Sequence, residues 1–93
     1  KIIYTDHLEL RLRIRKFPSE YPKIIYENPE AVFFDTLEKN KIAIKRLKYN
    51  NQVRNIMIAY EENNSEVRII TIHPVSDEKI RNRKITGRWK KYE

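Results

Sequence analysis

Four consecutive segments between residues 31 and 74 constrain the fold of this chain more than any other feature. They are rich in β-branched and aromatic residues and cover residues 31–36, 41–49, 52–62 and 66–74. The polar stretches LEKN, NN and NNS separate them as turns. Strands joined by short turns pair antiparallel, so the sequence predicts a four-stranded antiparallel meander. The last strand is apolar on both faces and is expected inside the sheet.

Shorter signals predict the elements on either side of the meander. The segment IIY at residues 2–4 is typical of a short strand, and residues 20–28 are expected to form a helix capped by Ser19. Ser76, with acidic residues directly after it, predicts the start of a C-terminal helix. Gly87, the one glycine in the chain, is expected in the left-handed conformation that ends this helix.

The stretch DHLELRLRIRK at residues 6–16 fits two structures. Strict alternation of apolar and charged residues favours a strand. Asp6 followed by Glu9 resembles a capping box and favours a helix over residues 7–16. We expect the helix, which aligns three polar residues in one exposed row and buries leucine and isoleucine on two sides of it. The row is His7, Arg11 and Arg15, and the buried pairs are Leu8 with Leu12 and Leu10 with Ile14.

The predicted fold is therefore α+β, in one domain covering residues 1–93. It combines the four-stranded antiparallel meander with a short N-terminal strand, two N-terminal helices and one C-terminal helix, and the helices lie mainly on one face of the sheet. The chain has no cysteine and no apolar run long enough to span a bilayer. We expect a cytoplasmic protein without membrane contact.

The net charge of +7 is concentrated at the two ends of the sequence. Residues 1–16 carry five basic and two acidic side chains, residues 77–93 carry seven and three, and residues 17–76 carry eight of each. If the two ends lie side by side, they form one basic surface suited to nucleic acid. The alternative is that these side chains only solvate helix faces.

Histidine and arginine remain as the candidates for chemistry. Without cysteine, and with only His7 and His73 as imidazoles, no zinc spacing exists, and a single glycine excludes a phosphate-binding glycine-rich loop. We expect neither a metal nor a cofactor. Imidazole with several guanidiniums suits RNA cleavage by attack of the ribose 2′-hydroxyl on the adjacent phosphate. The same residues can also bind phosphate without any reaction.

Three further residues are candidates for binding nucleic acid. Lys45 lies on a meander strand, and the pattern leaves open which face of the sheet it occupies. Trp89 and Lys90 belong to the basic stretch GRWKKYE at residues 87–93, where an aromatic ring among cations is typical of single-strand binding. The alternative for Trp89 is that it packs the tail onto the sheet.

The terminal motifs resemble a family of small bacterial and archaeal proteins grouped with the RelE, ParE and BrnT toxins. The motifs are H-x-x-x-R beginning at His7 and N-R-x-x-x-G-R-W at residues 82–89, and the similarity extends in order through YENPEAVFFDT, IAIK and ITIHP. The resemblance implies a RelE-like fold and a toxin that a cognate antitoxin protein neutralises. RelE-like members are typically metal-independent ribonucleases, several of which act on mRNA at the ribosome, whereas ParE-like members act on DNA gyrase.

The leading hypothesis is the toxin of a type II toxin-antitoxin system acting as a metal-independent endoribonuclease. The alternatives are a non-catalytic module that binds nucleic acid or protein, and a gyrase-directed ParE-like toxin. The expected partners are an antitoxin and RNA, including ribosome-bound mRNA, and the oligomeric state is left open. The predicted catalytic residues are His7, His73 and Arg88, with either histidine as base or acid. The predicted phosphate or nucleic-acid ligands are Arg11, Arg15, Lys45, Arg83, Trp89 and Lys90.

Overall fold

The structure is a computed structural model and describes residues 1–92. Within these residues it has six strands and three helices, which confirms the α+β class. In chain order they are β1 (Ile2–Tyr4), α1 (Asp6–Arg15), α2 (Tyr21–Glu27), β2 (Ala31–Asp35), β3 (Asn40–Tyr49), β4 (Gln52–Glu62), β5 (Val67–Pro74), α3 (Asp77–Ile85) and β6 (Trp89–Lys91).

All of these strands join one mixed sheet in the order β1-β5-β4-β3-β2-β6. Strands β2 to β5 pair antiparallel in sequence order and form the meander that the sequence predicts. Strand β1 adds parallel to β5, which places β5 inside the sheet as expected. Strand β6 pairs antiparallel with β2 and was not predicted, because three residues with two lysines carry no strand pattern. The meander is therefore the centre of a six-stranded sheet.

Residues 6–15 form a helix, so the expectation of a helix there is confirmed. The predicted cap is wrong by one residue: Thr5 is the N-cap, and its hydroxyl accepts a hydrogen bond from the Leu8 amide at 3.1 Å. Thr5 is still extended because its own amide donates to the Ile69 carbonyl at 3.2 Å, continuing the pairing of β1 with β5. The helix therefore starts directly after the last sheet hydrogen bond.

The expected burial of α1 on two sides is wrong. Leu8 and Leu12 are buried against the sheet, whereas Leu10 is 44% exposed and Ile14 is 60% exposed. The helix is therefore packed on one side only, and its alternating pattern does not produce a second buried face.

The other helix ends follow the sequence in part. The predicted cap Ser19 is not used, since α2 begins after Glu20 without a side-chain capping bond from any described residue. Ser76 caps α3 as predicted, and its hydroxyl accepts from the Lys79 amide at 3.0 Å. Gly87 has a φ of +79°, the predicted left-handed conformation. No helix in the part of the chain described here is long and apolar enough to cross a membrane.

The sheet has a core on each face. On the face that we call the helical face, α1 and α2 cover a cluster built around Leu8, Ile25, Ile58 and Ile69. The opposite face, the cleft face, carries a smaller cluster that includes Phe33, Ile42, Met57 and Trp89. Helix α3 lies on the cleft face, where Ile80 packs against this second cluster. Two helices thus share one face as expected, and the third leaves part of the other face open.

Candidate functional site

A cleft of about 250 Å³ opens on the cleft face between the sheet and α3. Its floor is apolar and its walls are polar. Its apolar lining consists of Ile42, Met57, Ala59, Ile70 and Trp89. The polar lining consists of Asp35, Glu38, Asn40, Thr71, His73, Lys79, Arg83 and Arg88. A concave site with an apolar part and convergent polar groups is a usual form of a small-ligand site.

A β-bulge determines which residues of β5 reach this cleft. The register of β5 against β4 shifts between Ala59 and Tyr60, so that Ala59 pairs with Thr71 while Tyr60 pairs with Ile69. The extra residue, Ile70, lies with Thr71 on the cleft face, whereas Ile69 belongs to the opposite core. Strict alternation along β5 would put Ile69 on the same face as Thr71 and His73, and the bulge prevents this.

His73 lines the cleft near the end of β5. Its Nδ1 lies 3.2 Å from the Pro74 carbonyl oxygen, which can only accept, so Nδ1 donates, and in the neutral ring Nε2 carries the free lone pair. Burial lowers the pKa of His73 below 6.5, and the charges of Arg15, Lys79 and Arg11 lower it further against the opposing effect of the Pro74 carbonyl. His73 is therefore neutral at pH 7 and can accept a proton.

Arg88 reaches the cleft from the residue before β6 and is held by a buried carboxylate. Its Nε donates to Asp35 Oδ1 at 3.1 Å and its Nη2 donates to Asp35 Oδ2 at 3.3 Å. Asp35 is only 3% exposed. The paired geometry fixes the plane of the guanidinium, because both ends of the carboxylate are engaged.

The Asp35 carboxylate also accepts hydrogen bonds from two backbone amides and from an indole. It accepts hydrogen bonds from the Leu37 and Glu38 amides, each at 3.0 Å, and from Trp89 Nε1 at 3.2 Å. Burial alone raises the pKa of Asp35, but the hydrogen bonds from Arg88, the two amides and Trp89 outweigh it, and the pKa is lowered. The carboxylate is therefore charged and joins the β2–β3 turn to the C-terminal segment.

The C-terminal residues Trp89 and Lys90 are placed differently from Arg88. Trp89 is 4% exposed and packs against Phe33, with the ring centroids 5.6 Å apart. Its indole is part of the core and also lines the cleft beside Arg88. Lys90 is exposed on β6, an edge strand, and does not line the cleft.

The predicted row on α1 lies outside the cleft. Arg11 Nε lies 3.4 Å from His7 Nε2, so the spacing of four residues does bring these side chains together. His7 is exposed, and neither it nor the two arginines of the row line the cavity. Arg11 and Arg15 nevertheless act on His73 through their charge.

Lys45 is likewise separated from the cleft. Along β3, Lys45 is two residues from Ala43 and two from Leu47, so it shares their face of the sheet. Ala43 belongs to the core of the helical face and Leu47 packs against it. The structure thus resolves the orientation that the pattern left open, since Lys45 is on the face opposite His73 and Arg88.

The two basic ends of the chain meet only in part. Strands β1 and β6 are the two opposite edges of the sheet, so the terminal strands are not neighbours. The charges of α1 and of the first turn of α3 do converge on His73. Charged side chains of α1 and α3 thus act on one histidine, although the two helices lie on opposite faces of the sheet.

Sequence reasoning missed five polar residues of the cleft: Asp35, Glu38, Asn40, Thr71 and Lys79. Lys79 had a signal, because it lies four residues before Arg83 on α3 and both therefore project from one side of that helix. Asp35 and Asn40 flank a turn and carried no signal of burial. The position of Thr71 in the cleft follows from the bulge in β5, which the sequence pattern does not show.

Comparisons with known proteins add no relative. Neither the models of known protein families, nor the curated proteins, nor the solved structures contain a match to this chain. Within residues 1–92, no three histidine, cysteine, aspartate or glutamate side chains come together as metal ligands would.

Proposed function

We propose that the protein is a metal-independent endoribonuclease whose reaction takes place in the cleft. The observation that carries the proposal is the position of His73, a neutral imidazole in the same cavity as Lys79, Arg83 and Arg88. Such a site offers a base beside several cations that can bind a phosphodiester.

In the proposed reaction, His73 Nε2 removes the proton of a ribose 2′-hydroxyl. The 2′-oxygen forms a bond to the adjacent phosphorus, and the bond from phosphorus to the 5′-oxygen of the next nucleotide breaks. Arg83 and Arg88 stabilise the charge on the phosphate oxygens. Lys79, whose charge already acts on His73, donates a proton to the leaving 5′-oxygen. The products are a 2′,3′-cyclic phosphate and a 5′-hydroxyl.

We further propose that the protein acts in the cytoplasm as the toxin of a type II toxin-antitoxin system. The resemblance of the terminal motifs to the RelE, ParE and BrnT group supports this proposal. A cognate antitoxin is the expected partner, and RNA, including ribosome-bound mRNA, is the expected substrate.

Incubation of the purified protein with RNA tests the reaction directly. We expect cleavage in the presence of EDTA, with cyclic phosphate ends, and we expect its loss in the His73→Ala variant. Ribosomes with bound mRNA serve as a second substrate. The proposal would be contradicted if free RNA and ribosome-bound mRNA both stayed intact and cells that express the protein grew normally.

A second candidate is a module that binds nucleic acid without cleaving it. Two observations favour it: Asp35 already engages Nε and Nη2 of Arg88, and His7 lies outside the cleft. This leaves His73 as the one histidine of residues 1–92 that lines the cavity. If the protein is such a module, we expect it to bind RNA tightly and with a strong salt dependence. The His73→Ala variant should have the same affinity for RNA.

A further inference from the structure

The half of β5 that carries His73 has a free edge. Strand β1 pairs only with residues 67–69, and Thr5, which follows β1, donates its hydroxyl to the Ile70 carbonyl at 3.1 Å. Helix α1 begins at the next residue. Within residues 1–92, no strand lies beside residues 71–74 on this side, so this edge of the sheet borders the cleft directly.

Helix α1 turns one flank toward this free edge. The buried side of the helix packs on β5. Glu9 and Arg13 line a groove with the connection to α2, and α2 packs on β4 and β3, so their flank faces the middle of the sheet. Helical spacing places Arg11 and Arg15 on the opposite flank. That flank is therefore the one beside the free edge of β5.

The cations on both sides of this edge have no carboxylate partner. Within residues 1–92, neither Arg11 nor Arg15 forms an ion pair, and the buried Nε of Arg15 makes no hydrogen bond. Lys79 and Arg83, on the cleft side of the edge, likewise form no ion pair with a described residue. The charges of Arg15 and Arg11 both act on His73, so the two arginines are close to the cleft. Uncompensated positive charge that continues across an edge suits a polyanion that follows the same course.

We infer that Arg11 and Arg15 form a second phosphate site for the RNA strand, which leaves the cleft past His73 and crosses the free edge of β5 onto α1. This inference rests on the proposed binding of RNA in the cleft. A single strand can bend over the edge, whereas a double helix is too stiff to do so. Guanidiniums are well suited to phosphate oxygens. The site binds phosphates beyond the one at which cleavage takes place, and it therefore favours long single strands over short ones.

Binding of 2′-O-methyl oligonucleotides, which cannot be cleaved, tests the inference. A dinucleotide occupies only the cleft, whereas a single strand of about eight nucleotides is long enough to reach α1. We expect Arg11→Gln and Arg15→Gln each to reduce the slope of log affinity against log salt concentration by about 1 for the longer strand. The slope for the dinucleotide should not change. Binding is measured because the loss of either charge also acts on His73, so that a cleavage rate would combine two effects.

Arg13→Gln is the matched control, because it removes the same charge from the other flank of the same helix and should leave both slopes unchanged. Equal slopes for Arg13→Gln and Arg15→Gln with the longer strand overturn the second phosphate site alone. An equal loss with the dinucleotide also overturns it, because Arg15 would then contact the phosphate in the cleft. If Arg13→Gln and Arg15→Gln differ in binding poly-glutamate but not RNA, α1 is a protein-docking surface and the inference is wrong. Failure of the unaltered protein to bind any RNA overturns the proposed function as well.

Discussion

Asp35 and Arg88, which are 53 residues apart in sequence, form a two-point ion pair at the edge of the cleft, with N···O distances of 3.1 and 3.3 Å. The pair joins the end of β2 to the segment before β6, and the Trp89 indole donates to the same carboxylate. A side chain of the candidate site is therefore held by the same contact that attaches the C-terminal strand.

Loss of the Asp35 charge should lower both stability and cleavage. Asp35→Asn keeps the size of the side chain but removes the charge that pairs with Arg88, so we expect the free energy of unfolding to fall by about 2 kcal/mol at neutral pH. The pKa of Asp35 is lowered from 3.8, so its stabilising effect is complete above that value and is lost as the pH falls through the lower pKa of the folded state.

Urea denaturation at several pH values measures this effect, and the difference between variant and unaltered protein should shrink below pH 3.8. Glu61→Gln is the control, because Glu61 is exposed on β4. Equal unfolding free energies for Asp35→Asn and the unaltered protein at neutral pH would contradict the prediction.

His73 should act as a base over the whole neutral pH range. We expect His73→Ala to lower the rate of RNA cleavage by about 100-fold or more, the usual contribution of a positioned acid or base. His7→Ala, the matched control outside the cleft, should cleave RNA at the normal rate. Initial rates with a labelled oligonucleotide measure both.

The pH dependence of the same rates gives an independent check on His73. A base works only when unprotonated, and burial and the nearby charges lower the pKa of His73 below 6.5. The rate should therefore be level at neutral pH and fall only as the pH drops through that lowered pKa. A rate that begins to fall at or above pH 6.5 would count against His73 as the base.

Removal of one cleft cation should change how RNA binding depends on salt. If Arg83 contacts a phosphate, Arg83→Ala should reduce the slope of log affinity against log salt concentration by about 1. Arg54→Ala, an exposed arginine in the β3–β4 hairpin, should leave the slope unchanged. Fluorescence titrations at several salt concentrations separate the two outcomes, and identical slopes for both variants would exclude Arg83 as a phosphate ligand.

Gly87 should be required for its backbone conformation and not for space. A Cβ atom at Gly87 would meet nothing within 4 Å, but the φ of +79° is unfavourable for residues with side chains. Gly87→Ala should therefore lower the unfolding free energy by about 1 kcal/mol. Gly87→Asn should cost less, because asparagine tolerates this conformation better. Thermal melts show which of the two variants is more stable. An alanine variant as stable as the asparagine variant would contradict the prediction.

The sequence by itself determined the order of most elements and several of their ends. The β-branched segments of residues 31–74 form the meander because each can pair with its neighbour through a short turn. Ser76 and Gly87 mark the two ends of the C-terminal helical segment because capping and left-handed turns depend on single residue types. The row of His7 and Arg11 follows from helical spacing alone.

Only the tertiary structure decided which of the charged residues share a site. The face on which a residue of β5 lies depends on the bulge at Ile70, which local alternation cannot show. The sixth strand forms because Trp89 is buried against Phe33 and donates to Asp35, contacts between residues more than 50 positions apart. The same long-range packing places His73, Arg83 and Arg88 in one cleft and leaves His7 and Lys45 outside it.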